Sequence, residues 1–441
     1  MFPVASWFPF EGLAPFYEIL FSVAFLIILS MLVWTSVLFV RGHRADRKMV
    51  EEGGENDFEW IFMVPALNEE VTIRDSIDRL EQIELDRKRI VVINDGSDDG
   101  TGEILAGINN PDLVVIERKA PEARQGKAAA LNFAFRQVVR QFSPDPGKTI
   151  FCIVDADGRI SAESPGFVAS HFQDPQVGGV QSLVRIYNRG TVLTWFQDVE
   201  FSIYGRLFQA GRNKWGTAGM GGNGQYNRLA ALTSIDTSGG SGPEPGLRAA
   251  SEGPWRDRLT EDQDLGLRLL LAGWHSRQDN RASVDQQGLP NLGKLFKQRT
   301  RWSQGNLQAM RLIKPIARSD IYLPARIEQI TYLLMPIFQG IVGVSLVASV
   351  FLFATGTDLI GGSGWWLIFI YLLGFGGTLM GCVAARMDDG LDLAGVVKGV
   401  LSAQVYAFYS WLLWPVLIRS AGRQLIGVDS WAKTEREQIK K

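Results

Sequence analysis

The stretch TIFCIVDAD, Thr149–Asp157, joins a short apolar run rich in β-branched residues to two carboxylates. A run of this kind, ended by polar residues, predicts a buried β-strand. Three similar runs precede it, namely WIFMVPAL (60–67), RIVVIND (89–95) and LVVIERK (113–119). Segments with helical spacing, residues 69–82 and 126–142, lie between the strands. This alternation predicts a mainly parallel sheet with helices on both faces, in which ligands bind at the carboxyl ends of the strands.

Carboxylates follow two of these predicted strands. Asp95 comes directly after IVVIN, and Asp155 and Asp157 follow FCIV. If the chain stays extended there, Asp155 and Asp157 point the same way and repel each other unless a cation lies between them. A hard divalent ion, held by these carboxylates and by phosphate oxygens of a substrate, would satisfy both. The alternative is a turn or a helix cap, since Asp157-Gly158 is also a turn pair.

The motif NDGSDDGT, residues 94–101, admits two interpretations. In the functional one, Asp95 contacts the base or ribose of a nucleotide. In the structural one, Ser97 or Asp98 caps a helix that begins near Thr101. The first strand leads into PALNEE, residues 65–70, and no glycine-rich turn follows it. This argues against a nicotinamide or flavin enzyme.

Two further sites carry charge at the start of predicted helices. Thr260-Glu261-Asp262 precedes an amphipathic helix, and Asp262 is a candidate general base for a hydroxyl nucleophile. An inverting sugar transfer needs one such base and no carboxylate nucleophile. A capping box around Thr260 is the structural alternative. Lys127 opens another helix, where an anion such as phosphate is favoured; a solvated surface lysine is its alternative.

The composition places the chain in the membrane class. It has 441 residues, a net charge of -2, and 46% hydrophobic residues that are concentrated in four long runs. The net charge implies no attraction to nucleic acid. With 2 cysteines in apolar runs and 3 histidines, neither a disulfide nor a zinc site is expected.

The four apolar runs cover about residues 19–40, 330–354, 365–385 and 400–418. The basic segment RGHRADRK follows the first run, which predicts that the N-terminus faces out and the chain after Arg41 faces the cytoplasm. Four spans would leave the C-terminus outside, although its basic residues favour the cytoplasm. Three explanations stay open: 391–400 lies in the interface, 411–418 with Pro415 re-enters, or the charge rule fails here.

Taken together, the motifs PALNEE, NDGSDDGT, GKAAALN, DAD, GNGQYNR, TEDQDLGLRL and QRTRW occur in an order that resembles the membrane-embedded family-2 glycosyltransferases, such as the cellulose, chitin, hyaluronan and poly-N-acetylglucosamine synthases. The resemblance covers about residues 58–302, with the flanking spans and the late segment WAKT, 431–434. It implies an α/β GT-A fold, that is, a Rossmann-like nucleotide-diphospho-sugar transferase domain in the cytosol, combined with transmembrane α-helices.

The resemblance also implies roles for particular residues. Asp95 matches the aspartate that contacts the nucleotide, and Asp155 and Asp157 match the DxD pair that holds Mg²⁺ or Mn²⁺. Asp262, with Glu261, matches the catalytic base motif. The remaining residues are expected to bind substrate: Pro65, Glu69, Lys127, Gln298, Arg301 and Trp302. The loop Gly222–Tyr226 is expected on the acceptor side, and the insertion 238–250 departs from the family.

The segment KQRTRWSQGN, residues 297–306, is expected on an amphipathic helix from Leu292 to about Ile313 that lies flat on the cytoplasmic face. Arg301 can form a planar fork with a diphosphate, and Trp302 can offer its ring to a sugar. A basic helix anchored on anionic lipid is the alternative. The predicted organisation has five parts: a transmembrane helix (1–45), a cytosolic catalytic domain (55–290), interfacial helices (291–328), transmembrane helices (329–420) and a basic tail (421–441).

The sequence therefore predicts a multi-pass protein of the plasma or inner membrane. It would transfer sugar from a UDP-sugar to a growing β-linked polysaccharide and extrude the polymer, with glycan or lipid acceptor, bilayer and accessory export subunits as partners. A non-processive enzyme that makes a glycolipid is the main alternative. A transporter is disfavoured because no Walker loop is present. A scaffold with a degenerate domain is disfavoured because all the required carboxylates are present.

Overall fold

The computed structural model describes Phe10 and residues 13–46, 52–237, 252–357, 375–386, 393–412 and 414–428. Several predicted features fall outside these ranges. They are the insertion 238–250, residues 365–374 of the third apolar run, and the tail from 429 onward with its segment 431–434.

One mixed sheet of eight strands forms the centre of the catalytic domain, in the order β3-β2-β1-β4-β7-β6-β8-β5. The strands are β1 (Glu59–Ala66), β2 (Lys88–Asn94), β3 (Leu113–Glu117), β4 (Thr149–Ile153), β5 (Arg159–Ile160), β6 (Val177–Ile186), β7 (Gln225–Arg228) and β8 (His275–Gln286). The first four are mutually parallel, as the apolar runs predict. Strand β7 pairs antiparallel with β4 and β6, so the other half of the sheet departs from the predicted parallel arrangement.

Helices cover both faces of this sheet, as predicted. They are α2 (Ile73–Glu81), α3 (Thr101–Ala106), α4 (Lys127–Phe142), α5 (Ser164–Phe172), α6 (Val192–Ile203), α7 (Ala210–Arg212), α8 (Leu229–Ser234) and α9 (Glu261–Leu271). A π-helical turn, Tyr204–Gln209, connects α6 to α7. Alternate residues of β1 point to opposite faces: Trp60 and Phe62 pack with the α2 and α5 layer, and Ile61 and Met63 pack with the α4 and α9 layer.

After the catalytic domain, α10 (Leu292–Ala309) and α11 (Ile313–Arg318) lead into the membrane-type helices. Within the described residues, three helical stretches are long and apolar enough to cross a bilayer: Pro15–Ala45, Leu323–Ala354 and Leu393–Leu425. They correspond to α1 (Pro15–Asp46), to α12 (Leu323–Ala354), and to α14 (Leu393–Leu412) with α15 (Pro415–Leu425). A shorter apolar helix, α13, covers Phe375–Ala384.

The last apolar run, 400–418, extends from α14 into α15. A new helix, α15, begins at Pro415, where proline is favoured in the first turn, and α15 packs against α10. The hydroxyls of Ser303 and Ser420 lie 2.7 Å apart, and Gln304 donates to the carbonyl oxygen of Val428 at 2.8 Å. The end of the described chain is therefore attached to the helix that carries QRTRW.

Two valines that face each other on neighbouring strands differ in burial, so their substitution tests the packing of the sheet. Val92 of β2 and Val115 of β3 are direct neighbours, but Val92 is fully buried and Val115 is 37% exposed. Val92→Ala should lower the free energy of unfolding by about 2 kcal/mol, because it removes buried methyl groups and leaves a cavity. Val115→Ala should cost less than about 1 kcal/mol. The check is thermal unfolding of both variants in one membrane mimetic; equal losses would contradict the described burial.

Candidate active site

A cavity of about 880 Å³ opens at the carboxyl ends of the parallel strands. Its wall contains every residue singled out from the sequence as a site candidate, namely Pro65, Glu69, Asp95, Lys127, Asp155, Asp157, Glu261, Asp262, Gln298, Arg301 and Trp302. It extends to α12, α14 and α15, where Tyr332, Gln339 and Trp414 line it. The chemical roles of these residues remain predictions, but the structure places them around one space.

Asp155 and Asp157 reach the cavity from a turn. Strand β4 ends at Ile153, and the N–H of Gly158 donates to the carbonyl oxygen of Asp155 at 2.7 Å. The extended backbone that would align the two side chains is therefore not present. Asp157 is buried and accepts from the N–H of Gln287 at 3.0 Å. Asp155 accepts from Lys127 at 2.7 Å, and its side chain is 31% exposed. The two carboxylates share the cavity but have different partners.

Lys127 lies within an acidic cluster at the start of α4. Its Nζ is 2.7 Å from Asp155 Oδ1 and 3.7 Å from Glu261 Oε1. Burial alone would lower the pKa of Lys127, but these two carboxylates outweigh burial and raise it. The solvated-lysine alternative is therefore wrong. A phosphate could approach the ammonium only in the presence of these acidic neighbours.

Asp262 has the electrostatic properties of a base. Burial, followed by the charge of Glu261, raises the pKa of Asp262 to about 7, although Lys127 opposes the shift. Its Oδ1 accepts from the N–H of Gln263 at 2.8 Å. No capping hydrogen bond from the Thr260 side chain forms at the start of α9. The capping-box alternative is therefore not realised, and Asp262 is held with one oxygen bonded to its own helix.

Gly222 keeps the second oxygen of Asp262 accessible. A Cβ at position 222 would stand 2.9 Å from Asp262 Oδ2, and the backbone there has φ of +78°, which disfavours other residues. The loop that contains Gly222 also orients the aspartate turn, because the N–H of Asp155 donates to the Asn223 side chain at 3.1 Å. The sequence motif GNGQYNR thus contacts two of the candidate carboxylates, Asp155 and Asp262, while its expected acceptor-side role stays a prediction.

Asp95 lines the cavity and is held by two arginines. It forms a buried ion pair with Arg118, and its Oδ1 accepts from the N–H of Arg124 at 3.1 Å. Burial raises the pKa of Asp95, while Arg118 lowers it. Arg118 was not found from the sequence, because one arginine after a strand carries no distinguishing pattern.

The loop around 94–101 is attached to the PALNEE loop. Asn68 donates to Asp98 at 2.6 Å, and the N–H of Glu69 donates to Thr101 at 2.8 Å. The N–H of Thr101 bonds to Asp99 at 3.0 Å, so the helix start is served by Asp99 and not by the expected Ser97 or Asp98. The two motifs therefore form one rigid border of the cavity.

Helix α10 docks directly on the start of α9. Gly305 lies so close to Thr260 that an added Cβ would stand 2.4 Å from the Thr260 hydroxyl. Gln263 donates to Asn306 at 3.0 Å, and the N–H of Leu259 donates to Gln308 at 3.2 Å. The SQGN residues after Trp302 thus join the QRTRW helix to the Thr260-Glu261-Asp262 motif.

Arg299 organises the QRTRW residues. It donates to Gln298 at 2.7 Å and to Glu200 of α6 at 2.8 Å, and its guanidinium lies 4.1 Å from the centre of the Trp302 ring. Tyr409 of α14 donates to the same Glu200 oxygen at 2.9 Å. Sequence reasoning identified the flanking Gln298, Arg301 and Trp302 but missed Arg299. It also missed Glu200 and Tyr409, which meet it only through the fold.

The residues present fit a hard divalent cation with few protein ligands. Among the described residues, no three acidic, histidine or cysteine side chains form a complete ligand cluster. Asp155 and Asp157 nevertheless both line the cavity. Mg²⁺ commonly uses one or two carboxylates and takes its other ligands from substrate phosphates and water. The donor set is compatible with a metal that binds together with a diphosphate.

Comparison with known proteins gives two kinds of relative. Residues 59–305 match the profile described as glycosyltransferase like family 2. Poly-beta-1,6-N-acetyl-D-glucosamine synthase of Staphylococcus aureus (strain COL) is 28% identical over 252 residues, 56% of this chain and 55% of that protein. The Staphylococcus epidermidis (strain ATCC 35984) protein of the same name is 26% identical over 277 residues, 62% and 60% of the two chains. The chain thus spans little more than half the length of these relatives.

A solved mannosyltransferase from Pyrobaculum calidifontis, in complex with GDP-Man and Mn²⁺, superposes with a TM-score of 0.57 at 16% identity, over 93% of this chain and 99% of that one. At this identity the likeness concerns the fold alone, and it confirms the predicted GT-A architecture with added helices. Since the family profile extends over more than half of the sequence, from β1 to the Gly305 contact, the chain belongs to glycosyltransferase family 2.

Proposed function

We propose that this protein is an inverting glycosyltransferase that moves a sugar from a nucleoside diphosphate donor, such as a UDP-sugar, to the hydroxyl of a glycan acceptor. The observation that carries the proposal is the convergence of Asp262, Asp155 and Trp302 on one cavity. A base, a diphosphate site and an aromatic platform are the three components that such a transfer requires. The named synthase relatives support a polysaccharide product.

In the proposed reaction Asp262 takes the proton of the acceptor hydroxyl, and the oxygen forms a bond to the anomeric carbon. The bond from that carbon to the diphosphate breaks on the opposite face, so configuration inverts and the nucleoside diphosphate leaves. Lys127 lies between Asp155 and Glu261, where it lowers the repulsion that the leaving group meets. Asp95, which lines the same cavity, would contact the nucleoside.

Asp155 and Asp157 would hold Mg²⁺ or Mn²⁺. When bound, such an ion supplies neutralisation of the diphosphate charge. Arg301 and Lys127 would contribute further positive charge from the protein. Gln298, with its side-chain oxygen fixed by Arg299, would present its amide nitrogen to substrate.

The acceptor would be a growing β-linked chain that leaves through the membrane helices. This is supported by the extension of the cavity from Trp302 to Tyr332, Gln339 and Trp414 on α12 and α14–α15. A glycolipid acceptor remains the second candidate, because the same opening beside apolar helices could admit a lipid-linked sugar. Labelled product that is retained as polymer after lipid extraction would favour the first, and lipid-extractable product would favour the second.

We place the protein in the plasma or inner membrane, with the catalytic domain on the cytoplasmic side. Arg41 at the end of α1 donates to the carbonyl oxygen of Gly211, which puts the basic end of this helix at the catalytic domain. The packing of α15 on α10 supports a position of α15 on that side. Of the three explanations for the position of the C-terminus, this favours the one in which residues 411–418 with Pro415 re-enter the membrane. Accessory export subunits remain a further expectation.

Asp262→Asn should reduce sugar transfer by about 100-fold or more, because the amide cannot accept the acceptor proton. The measurement is incorporation of labelled sugar by membranes with matched protein content. Asp86→Asn, at an exposed aspartate outside the cavity, serves as the control and should keep full activity. Near wild-type transfer by Asp262→Asn would refute the base assignment.

Asp157→Asn keeps an oxygen for the Gln287 N–H but removes a charge from the metal site. After chelation, wild-type membranes should regain activity with added Mn²⁺ or Mg²⁺, whereas the variant should recover about 100-fold less at any metal concentration. Asp86→Asn again controls for loss of a surface charge. Full wild-type activity in chelator, or full rescue of the variant by metal, would contradict the metal role.

The raised pKa of Asp262, about 7, predicts an acidic limb in the pH profile. The base must be deprotonated, so kcat/KM should fall about tenfold per unit once pH drops well below 7. Lys127→Met should move this limb to higher pH, because a cation that lowers the pKa of Asp262 is lost. The exposed Lys148→Met is the control. If the midpoint of the acidic limb in Lys127→Met, measured on the residual activity, equals that of the wild type, this interpretation is wrong.

A further inference from the structure

Part of the cavity wall consists of aromatic and amide side chains from the membrane-type helices and from the turn after α6. We call it the membrane-side pocket and define it by Tyr204, Arg212, Tyr332, Gln339, Trp411 and Trp414, all of which line the cavity. It is formed by the π-helical turn after α6, by α7, and by the helices α12, α14 and α15. Most of these side chains are aromatic, and Arg212 is the one cation among them.

The charge of Arg212 is already neutralised. Arg212 is 1% exposed and forms an ion pair with Glu328 of α12 at 2.8 Å. It also donates to Gln209 at 3.3 Å, and its guanidinium lies 4.4 Å from the centre of the Tyr332 ring. A buried arginine held by a carboxylate, an amide and a ring offers little net positive charge to a ligand.

Arg299, the cation at the border of this pocket, is neutralised in the same way. Its partner Glu200 is 2.8 Å away and also binds Tyr409 of α14. Of the other cations in the described cavity wall, two form ion pairs with carboxylates, and Arg301 precedes Trp302 on α10. Arg124 pairs with Asp98 and Lys127 with Asp155. Arg301 stands one helical turn before Gly305, which touches Thr260.

The remaining polar groups of the pocket are uncharged. The hydroxyls of Tyr204 and Tyr332 lie 3.4 Å apart, and Gln339 adds an amide. Aromatic faces with a few hydroxyl and amide groups suit the C–H faces and hydroxyls of sugar rings. A uronate or phosphate group would instead lose its hydration without gaining a partner, which is costly in a buried site.

From this balance of charge we infer that the membrane-side pocket binds an uncharged sugar chain and discriminates against acceptors that carry uronate or phosphate groups. The inference rests on the proposed function, since it names the class of acceptor for the same cavity. It adds a selectivity that neither the carboxylates nor the QRTRW residues provide. It also assigns Glu328 a role: this residue keeps Arg212 from acting as an anion site.

The test measures the binding of two soluble probes to the full chain in nanodiscs without donor. Binding is detected by the quenching of tryptophan fluorescence. Cellopentaose is the neutral probe and a hyaluronan hexasaccharide is the anionic one. Cellopentaose should bind at least about tenfold more tightly, a difference of about 1.4 kcal/mol. Equal or tighter binding of the anionic probe, or binding of neither, would overturn the inference. Because no sugar is transferred, this result is independent of the Asp262→Asn experiment.

Two variants locate the selectivity. Glu328→Gln releases the charge of Arg212 and should strengthen binding of the anionic probe by roughly fivefold, while Glu163→Gln, at an exposed glutamate, should change nothing. If Glu328→Gln does not fold, Arg212→Gln with Glu328→Gln removes both charges and should keep the preference for the neutral probe. A folded Glu328→Gln protein without gain for the anionic probe, or a double variant that loses the preference, would contradict the assignment.

Discussion

The mutual repulsion of carboxylates at one edge of a sheet is the constraint on which this structure depends. Asp155 and the adjacent pair Glu261 and Asp262 come from two distant parts of the chain and line one cavity at the carboxyl ends of the parallel strands. The ammonium of Lys127, at the start of α4, makes this possible, since it lies 2.7 Å from Asp155 and 3.7 Å from Glu261. Residual repulsion and burial are then expressed in the raised pKa of Asp262. The same balance that permits the cluster to fold therefore sets the basicity that the proposed reaction uses.

A second constraint is that glycine is required at two positions where a loop or a helix packs closely against the start of α9. Gly222 stands before Asp262, and Gly305 brings α10 against Thr260. The Gly305 contact, together with the Gln263–Asn306 hydrogen bond, holds the helix that carries Trp302 against the start of α9. A larger residue at position 305 would push α10 away from Thr260, and one at position 222 would crowd the Oδ2 atom of Asp262. Distances within the site therefore depend on two small residues that have no chemistry of their own.

Half of the fold could be predicted because its signal is local. Strands β1 to β4 are apolar runs that end in polar residues, and their parallel order follows from the helices between them. Strand β8, HSRQDNRASVDQ, is polar along its length, and its buried Asp279 is paired with His171 at 2.9 Å and with Arg281. No pattern of hydrophobic residues marks such a strand. The second half of the sheet, in which β6 and β8 pair in parallel but β7 and β5 pair antiparallel with their neighbours, was accordingly not anticipated.

The candidate site shows the same division. Asp95, Asp155, Asp157 and Asp262 could be found because each belongs to a short motif. Arg118, the partner of Asp95, and Glu200, the partner of Arg299, are single charged residues that belong to no recognisable motif. Only the tertiary contacts identify them as part of the candidate site.

Glu200 is shared between Arg299 of α10 and Tyr409 of α14, so an apolar helix of membrane-spanning length helps to hold the arginine that stacks on Trp302. Detergent that loosens α14 would remove one of these contacts while the sheet and its helices stay folded. Loss of turnover on extraction from the bilayer would then report a local rearrangement, and it could be reversed by reconstitution into lipid.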